Sequence, residues 1–412
     1  MSGSVFKVER GPAGEKIALV RLFTGTVRTR DRVRLAGGGE GKVTAISVFD
    51  AGGAVRRDAV EAGQIARLWG LSDARIGDAI RGRDGDGAGG SEAPARHFAP
   101  PTLETVVVPR GGADRAALHL ALEQLAEQDP LIGLRQDDLR GELSVSLYGE
   151  VQKEVIQSTL ADDFGVHVTF RASTTICVER LVGTGAAEEH IGAGDNPFLA
   201  TVGLRAEPAP PGAGVAFGLE VELGSMPPAF FKAVDEAVRE TLRQGLHGWD
   251  VPDCTVTMTD SGYWARQSHS HATFDKSMSS TARDFRQLTP LVLMTALRRA
   301  GTCVHEPLHR FRLEVPADAL GPVSALLARM RATPDVPAIS GAVCVVEGEV
   351  PAARVHELQQ QLPALTRGEG VLESEFARYA PVRGAVPERP RLGPDPLDRR
   401  EYVRRLLRRV PA

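Results

Sequence analysis

The spacing of apolar and polar residues divides the chain into stretches of different character. Residues 4–80 alternate apolar and polar positions between turn residues, as in "KIALVRLFTG", "DRVRLA", "GKVTAISVF" and "QIARLWGL", and this predicts the strands of a small all-β barrel. The glycine-rich stretch "GRDGDGAGGSEAPAR" breaks the pattern and has the composition of a flexible loop or linker. A strand at 103–108, a helix at 114–128, strands near 134–136 and 143–148, a helix at 151–164 and a strand at 166–170 follow. This is the β-α-β-β-α-β order of a ferredoxin-like domain. The same order returns with "HRFRLEVP", a helix at 317–331, strands at 338–341 and 343–347, a helix at 352–362 and "VLESEF". The second helices of the two copies share an entry, Gly149-Glu150-Val151 and Gly348-Glu349-Val350, which points to an internal repeat.

The intervening residues read as a different α+β unit. Its best helix, 228–244, carries Phe231, Val234, Val238, Thr241 and Leu242 on one face, with prolines at its start and Gly245 at its end. A second helix follows Asp284 with Phe285, Leu288, Leu291 and Val292, and ends at Gly301. Beyond a proline-rich stretch, "DPLDRREYVRRLLRRV" sets Leu397, Tyr402, Val403, Leu406, Leu407 and Val410 in one stripe. Arg399, Arg400, Arg404, Arg405, Arg408 and Arg409 cover the remainder, as in an amphipathic basic helix. The whole reads as a multidomain α+β protein: a barrel at 1–98, a ferredoxin-like domain at 99–174, an α+β domain at 175–304, a second ferredoxin-like domain at 305–382, and a linker with a basic helix at 383–412.

Composition narrows the classes. A chain of 412 residues exceeds one ordinary domain. Its 42% hydrophobic and 25% charged residues with net charge −4 are ordinary globular values, so overall charge carries no nucleic-acid signal. Cys177, Cys254, Cys303 and Cys344 lie too far apart for a disulfide framework or paired metal ligands. No stretch approaches the ~20 apolar residues of a membrane span, and the N-terminus lacks a signal-peptide pattern, so a cytoplasmic protein is expected.

"GGGEGK" at 37–42 invites a phosphate-loop reading, but Ala36 and Val43 stand where that motif needs glycine and a hydroxyl residue, and the segment joins two strands. A hairpin turn is expected, with no nucleotide hydrolysis. The stretch "GYWARQSHSHATFDKSMSSTARDF", 262–285, lies between a strand and a helix and reads as a long projecting loop. His269 and His271, with Asp275, give one reading as a metal site. Ser268 or Ser270 beside a histidine gives another as a nucleophile, although no orienting carboxylate or oxyanion nest is localised. The third is RNA contact: Arg266, Lys276 and Arg283 pair with phosphates, Tyr263, Trp264, His269, His271 and Phe274 stack on bases, and the hydroxyls bond sugars. A solvated loop remains a fourth. The tail arginines likewise fit either phosphate contact or a solvated face on a helix docked by its apolar stripe.

The order of these units resembles elongation factor G beyond its GTPase domain. "SGSVFKVER", "DPLIGLRQD", "LYGEVQKEVI", "NPFLATVGL", "GLHGWDVPDC", "ARDFRQLTPLVL" and "RAGTCVHEP" resemble segments of one branch of that superfamily, the tetracycline ribosomal protection proteins, from Ser2 to about Val382. The resemblance implies that the α+β domain is domain IV-like and enters the decoding centre of the 70S ribosome. Its tip loop, with Tyr263, Trp264, Arg266, Gln267, Ser268, His269, Ser270, His271, Phe274 and Lys276, would dislodge or exclude the antibiotic. It also implies that the barrel leans on small-subunit RNA, that the last ferredoxin-like domain faces the large subunit, and that the tail arginines lie on small-subunit RNA. The loop departs from the family's short, proline-containing tip, with no proline between Gly262 and Phe285. Because the resemblance starts at the barrel, the GTPase domain is expected to be absent. The expectations are then a monomer, no enzyme activity and no metal or cofactor in this chain, GTP and magnesium belonging to relatives with that domain or to a GTPase partner in trans. Two alternatives have other premises. A protein-interaction module or inactive remnant would show an apolar patch around Val5, Phe6, Leu22 and Phe23, and a small metalloenzyme would use His269 and His271.

Overall fold

The computed structural model describes residues 1–12, 14–35, 39–50, 53–82, 101–110, 115–129, 132–137, 141–265 and 279–408. The glycine-rich stretch beyond Gly82 therefore lies outside the described residues. Contacts divide the chain into two units, Met1–Arg135 with Glu142–Ser173, and Gln136–Gly141 with Thr174–Ala412.

In the first unit, an eight-stranded sheet runs in the order 40–42, 32–35, 79–82, 2–10, 16–24, 65–69, 45–50, 53–57, and a ribbon pairs 26–28 with 59–61. Period-two alternation turns Val5, Val8, Val20, Leu22, Val33, Leu68 and Ile80 into one core. Two bulges interrupt the pairing of Ser2–Arg10 with Lys16–Thr24. Register passes from Ser2↔Thr24 to Gly3↔Leu22 and from Val5↔Val20 to Lys7↔Leu19, leaving Phe23 and Phe6 as the extra residues. A bulge re-aims its side chain, so of the patch that the interaction-module alternative would show, only Phe6 and Phe23 face outward. Val5 and Leu22 are fully buried, while Phe6 and Phe23 are 45% and 57% exposed. Arg32–Leu35 and Glu40–Lys42, on either side of the glycine-rich stretch, pair antiparallel as a hairpin requires, with 36–38 outside the described residues. On its outer face Arg32 stands opposite Lys42, and Arg34 opposite Arg81, two like-charge cross-strand pairs.

A further sheet, ordered 134–137, 142–147, 103–109, 168–170, goes with helices α1 (Arg115–Gln128) and α2 (Val151–Phe164). Glu127 of α1 takes Arg10 and Lys16 of the barrel, the latter at 3.0 Å. Burial would raise its carboxyl, but hydrogen bonds from Lys16 and Arg10 outweigh that and hold it below the usual range. A depressed folded value means stability that is complete above the unfolded carboxylate pKa, about 4.3, and lost as pH falls through the folded value. Glu127→Gln is expected to cost about 1 kcal/mol at pH 7. Parallel melts should show its gap from the wild type closing below the carboxylate range, and a gap that persists there would overturn the assignment.

The second unit carries helices α3 (Pro228–Leu242), α4 (Ala282–Ala300), α5 (Leu320–Arg329), α6 (Ala352–Thr366) and α7 (Arg399–Arg408). Strands 185–189, 200–208, 254–263 and 215–219 form one sheet, the last pair parallel. Val202, Leu204, Val256 and Met258 of the sheet, Val234 and Val238 of α3, and Phe285, Leu288 and Val292 of α4 share its core. The chain then folds into a second sheet in which 371–381 and 343–351 both pair with 302–316, and 338–340 pairs with 343–351. This is the strand order of the first ferredoxin-like sheet, so the repeat holds in topology. The shared Gly-Glu-Val entry does not. Gly149 and Glu150 make the turn before α2, whereas Gly348, Glu349 and Val350 lie inside the strand Val343–Pro351, ahead of α6. The helix expected at 317–331 is a short 3₁₀ turn, Ala317–Ala319, followed by α5. All four cysteines are free, and burial, above all, pushes the Cys177 and Cys254 thiols up to about 12. No helix among the described residues is long and apolar enough to cross a membrane.

Candidate nucleic-acid interface

The strand Cys254–Tyr263 runs three residues past "CTVTMTD" and carries the chain to the end of its sheet. Tyr263 is thus the last strand residue and not part of the loop. Its ring meets Phe230 edge-on at 5.7 Å, and Phe230 stacks on the fully buried Phe285 at 4.6 Å, so Tyr263 rests on the core by one face. Trp264 begins the loop, 42% exposed. Its N–H donates to Ser280 Oγ at 2.7 Å and its carbonyl accepts from Ser280 N at 3.1 Å, which closes the loop's root. Ser280 Oγ in turn donates to the Leu199 carbonyl at 2.5 Å.

The helix beyond the root begins earlier than expected, at Ala282. Thr281 caps it in a capping box with Asp284 at the third position. Asp284 Oδ2 accepts from Thr281 N at 2.8 Å, while Oδ1 accepts from Leu199 N at 3.4 Å. Loop 190–199 is tied in turn by Asn196, whose amide donates to His190 O and Ala200 O, each at 3.0 Å. Sequence reasoning missed Leu199, Ser280 and Asp284 as a group because only the fold brings residues about 80 positions apart together, and it missed Asn196 because its bonds depend on the path of loop 190–199. Of the expected tip residues, Arg266, Gln267, Ser268, His269, Ser270, His271, Phe274 and Lys276 lie outside the described residues. The metal reading of His269 and His271 lies there too. Among the described residues one histidine and acid group stands within metal-ligand reach, Glu188, His190 and Asp260. There the two ring nitrogens face different carboxylates, at 3.6 and 3.5 Å.

The tail forms its helix, and α7 docks. Asp398 Oδ1 accepts Glu401 N at 3.0 Å and so caps its start. Tyr402 is buried, with Val403 and Leu406 packed beside it on the α3/α4 core, but Leu397 and Leu407 are 37% and 52% exposed, so the apolar stripe is narrower than expected. The six arginines separate. Arg399 pairs with Glu189 and Arg405 with Glu401, while Arg400 and Arg404 are exposed. The side chain of Arg408 and all of Arg409 lie outside the described residues.

Residues 98–172 match the model of elongation factor G domain III, 179–301 that of domain IV, and 303–390 that of the elongation factor G C-terminus. An oxytetracycline resistance protein of Streptomyces rimosus is 45% identical, aligned over 100% of this chain and 61% of its own length. The chain belongs to the elongation factor G-like family of tetracycline resistance proteins. Tetracycline resistance protein TetM of Streptomyces lividans is 43% identical over 92% of this chain and 57% of its own. A crystal structure from Thermus thermophilus superposes on 98% of this chain and 57% of its own, at 24% identity and a TM-score of 0.49. The chain spans about 60% of the length of the curated relatives it matches.

In family terms, the loop root and loop 190–199 belong to domain IV, and the end of the C-terminal match, with the residues just beyond it, straps back onto it. Trp249 Nε1 donates to Pro387 O at 2.8 Å, Arg389 lies over the Trp249 ring at 5.3 Å, and Gln244 exchanges two hydrogen bonds with Leu392. Gly248 approaches Arg389 O so closely that a Cβ would stand 2.0 Å from it. Burial lowers the Arg389 guanidinium to about 10. Beneath the strap, Glu179 accepts from His247 N, Trp249 N and Thr302 Oγ1 at 2.8, 3.0 and 2.8 Å. The "GLHGWDVPDC" segment is thus the seat of the strap.

Proposed function

We propose that the chain binds the 70S ribosome through small-subunit RNA, presents residues 264–280 at the decoding centre, and there excludes or dislodges a bound tetracycline. The observation that carries this reading is the closed root at the end of domain IV. Trp264 and Ser280 bond each other twice, and Ser280 and Asp284 fix them to Leu199, so a long polar loop is held at one end of a packed scaffold. Names of the relatives supply the drug class. Among the exposed cations, Arg34, Lys42, Arg81 and Arg32, the last 4.0 Å from Glu40, on the barrel and Arg400 and Arg404 on α7 are suited to phosphates. On this reading the protein works as a cytoplasmic monomer by occupancy, and the residues of this sequence supply no metal or cofactor. The bulge-aimed Phe6 and Phe23 support a second reading, a protein-interaction module.

Sedimentation with purified 70S ribosomes across a salt series tests the choice. Binding should weaken steeply with salt, and replacing Arg32, Arg34, Lys42 and Arg81 by alanine should shallow the slope of log K against log salt by up to about one per lost phosphate contact. Absence of binding at low salt would sink the ribosomal reading. Binding that tetracycline leaves unaffected, and that leaves bound tetracycline in place, would sink the displacement part.

A further inference from the structure

Arg399 was expected to lie against RNA. Its guanidinium instead grips Glu189 with both terminal nitrogens, one at 3.0 Å to Oε2, and donates to the Asp195 carbonyl at 2.9 Å. Glu189 ends the strand Gly185–Glu189, and Asp195 sits in the middle of loop 190–199. The planar fork of arginine matches this acceptor set, whereas lysine offers a single point of donation. The far end of the same loop is Leu199, which holds Ser280 and Asp284 at the root of the tip loop. Asn196 braces the middle, with Phe198 N donating to its Oδ1 at 2.9 Å and the Phe198 ring buried in the core. Hydrogen bonds linked by the backbone of loop 190–199 therefore lead from α7 to Trp264. The helix itself is held by its own cap at Asp398 and by Tyr402, whose hydroxyl donates to Gln287 O at 3.0 Å. The arginine thus projects from an anchored support.

We propose that Arg399 is a positioning residue that ties loop 190–199, and through it the tip-loop root, to the C-terminal helix. The inference deepens the reading of the tip loop given above and rests on it for its functional meaning. The contacts themselves are internal to the protein. Among the described residues of this helix, Arg400 and Arg404 are then the exposed arginines left for phosphate contact.

Amide hydrogen exchange of the purified full chain, without ribosomes, tests this. Arg399→Gln and Glu189→Gln should each speed exchange in loop 190–199 and at Trp264, Ser280 and Thr281 by about tenfold, leaving barrel amides unchanged. Arg399→Lys should give a smaller rise. The reversed pair, Arg399→Glu with Glu189→Arg, should recover at least half of the protection, since the ion pair returns while the bond to Asp195 O does not. Unchanged exchange in Arg399→Gln, or no recovery in the reversed pair, overturns the proposal. Ribosome sedimentation of the same variants is read separately. Wild-type protein that fails to sediment with ribosomes defeats the ribosomal reading while the exchange result stands. An Arg399→Gln variant that keeps wild-type exchange but loses ribosome affinity shows instead that Arg399 contacts RNA.

Discussion

Glu179→Ala is expected to destabilise the larger unit by about 3 kcal/mol, a fall in melting temperature of roughly 6–12 °C for a unit of this size. Glu179 is fully buried, and its carboxylate accepts two backbone N–H groups and the Thr302 hydroxyl. Alanine leaves those three donors facing a dry cavity. The neighbourhood cannot refill it cheaply, because Gly245 has no side chain where the carboxylate sits, 2.7 Å from where its Cβ would be. Glu179→Gln keeps one oxygen for the two N–H groups and turns its amide toward the Thr302 oxygen, which accepts, so about 1 kcal/mol is expected. Calorimetric melts of both variants decide the matter. A loss under about 2 °C for the alanine variant would show that solvent reaches the site.

Tyr402→Ala is expected to undock α7. A buried aromatic truncated to alanine costs about 3 kcal/mol or more, and Tyr402 is only 6% exposed. Its ring lies in the domain IV core, and burial raises its phenol, so the hydroxyl stays protonated and donates to Gln287 O. A helix of ten residues does not persist in water without packing. Limited trypsin digestion should therefore cut between Arg399 and Arg405 roughly a hundredfold faster than in the wild type, whereas Tyr402→Phe should cut only a few times faster. Equal rates for alanine and wild type would mean that Val403 and Leu406 suffice to hold the helix.

Where local pattern determines structure, the sequence was readable. The helix at 151–164 forms over the residues expected, and α3 ends two residues short of 244, because apolar spacing and start signals act within a turn or two. The arginines of "DRVRL" alternate outward as a strand requires, but their opposition to Lys42 and Arg81 depends on register and is invisible in one strand. The same limit applies to function. Tyr263 reads as loop until the strand is seen to continue, Glu179 reads as an ordinary charge in "CVERL", and Arg399 reads as one basic residue among six. The partners of Glu179 and Arg399 lie 68 to 210 positions away, and Phe230, on which the Tyr263 ring rests, lies in a different element. Backbone acceptors such as Leu199 O and Pro387 O leave no trace in residue identity at all.

The closed root also bears on how the loop itself can change. Since Trp264 and Ser280 bond each other, and the capping box begins α4 independently, the root is closed by residues of the scaffold itself. Lengthening a loop whose ends are already joined adds only about 0.6 kcal/mol per doubling. A tip of different length or chemistry is therefore expected to be accepted between Ala265 and Ser279, with the buried Ser279 kept. Domain IV then serves as a fixed mount for changing tips, and grafting a shorter proline-containing tip between those two residues should leave the fold intact.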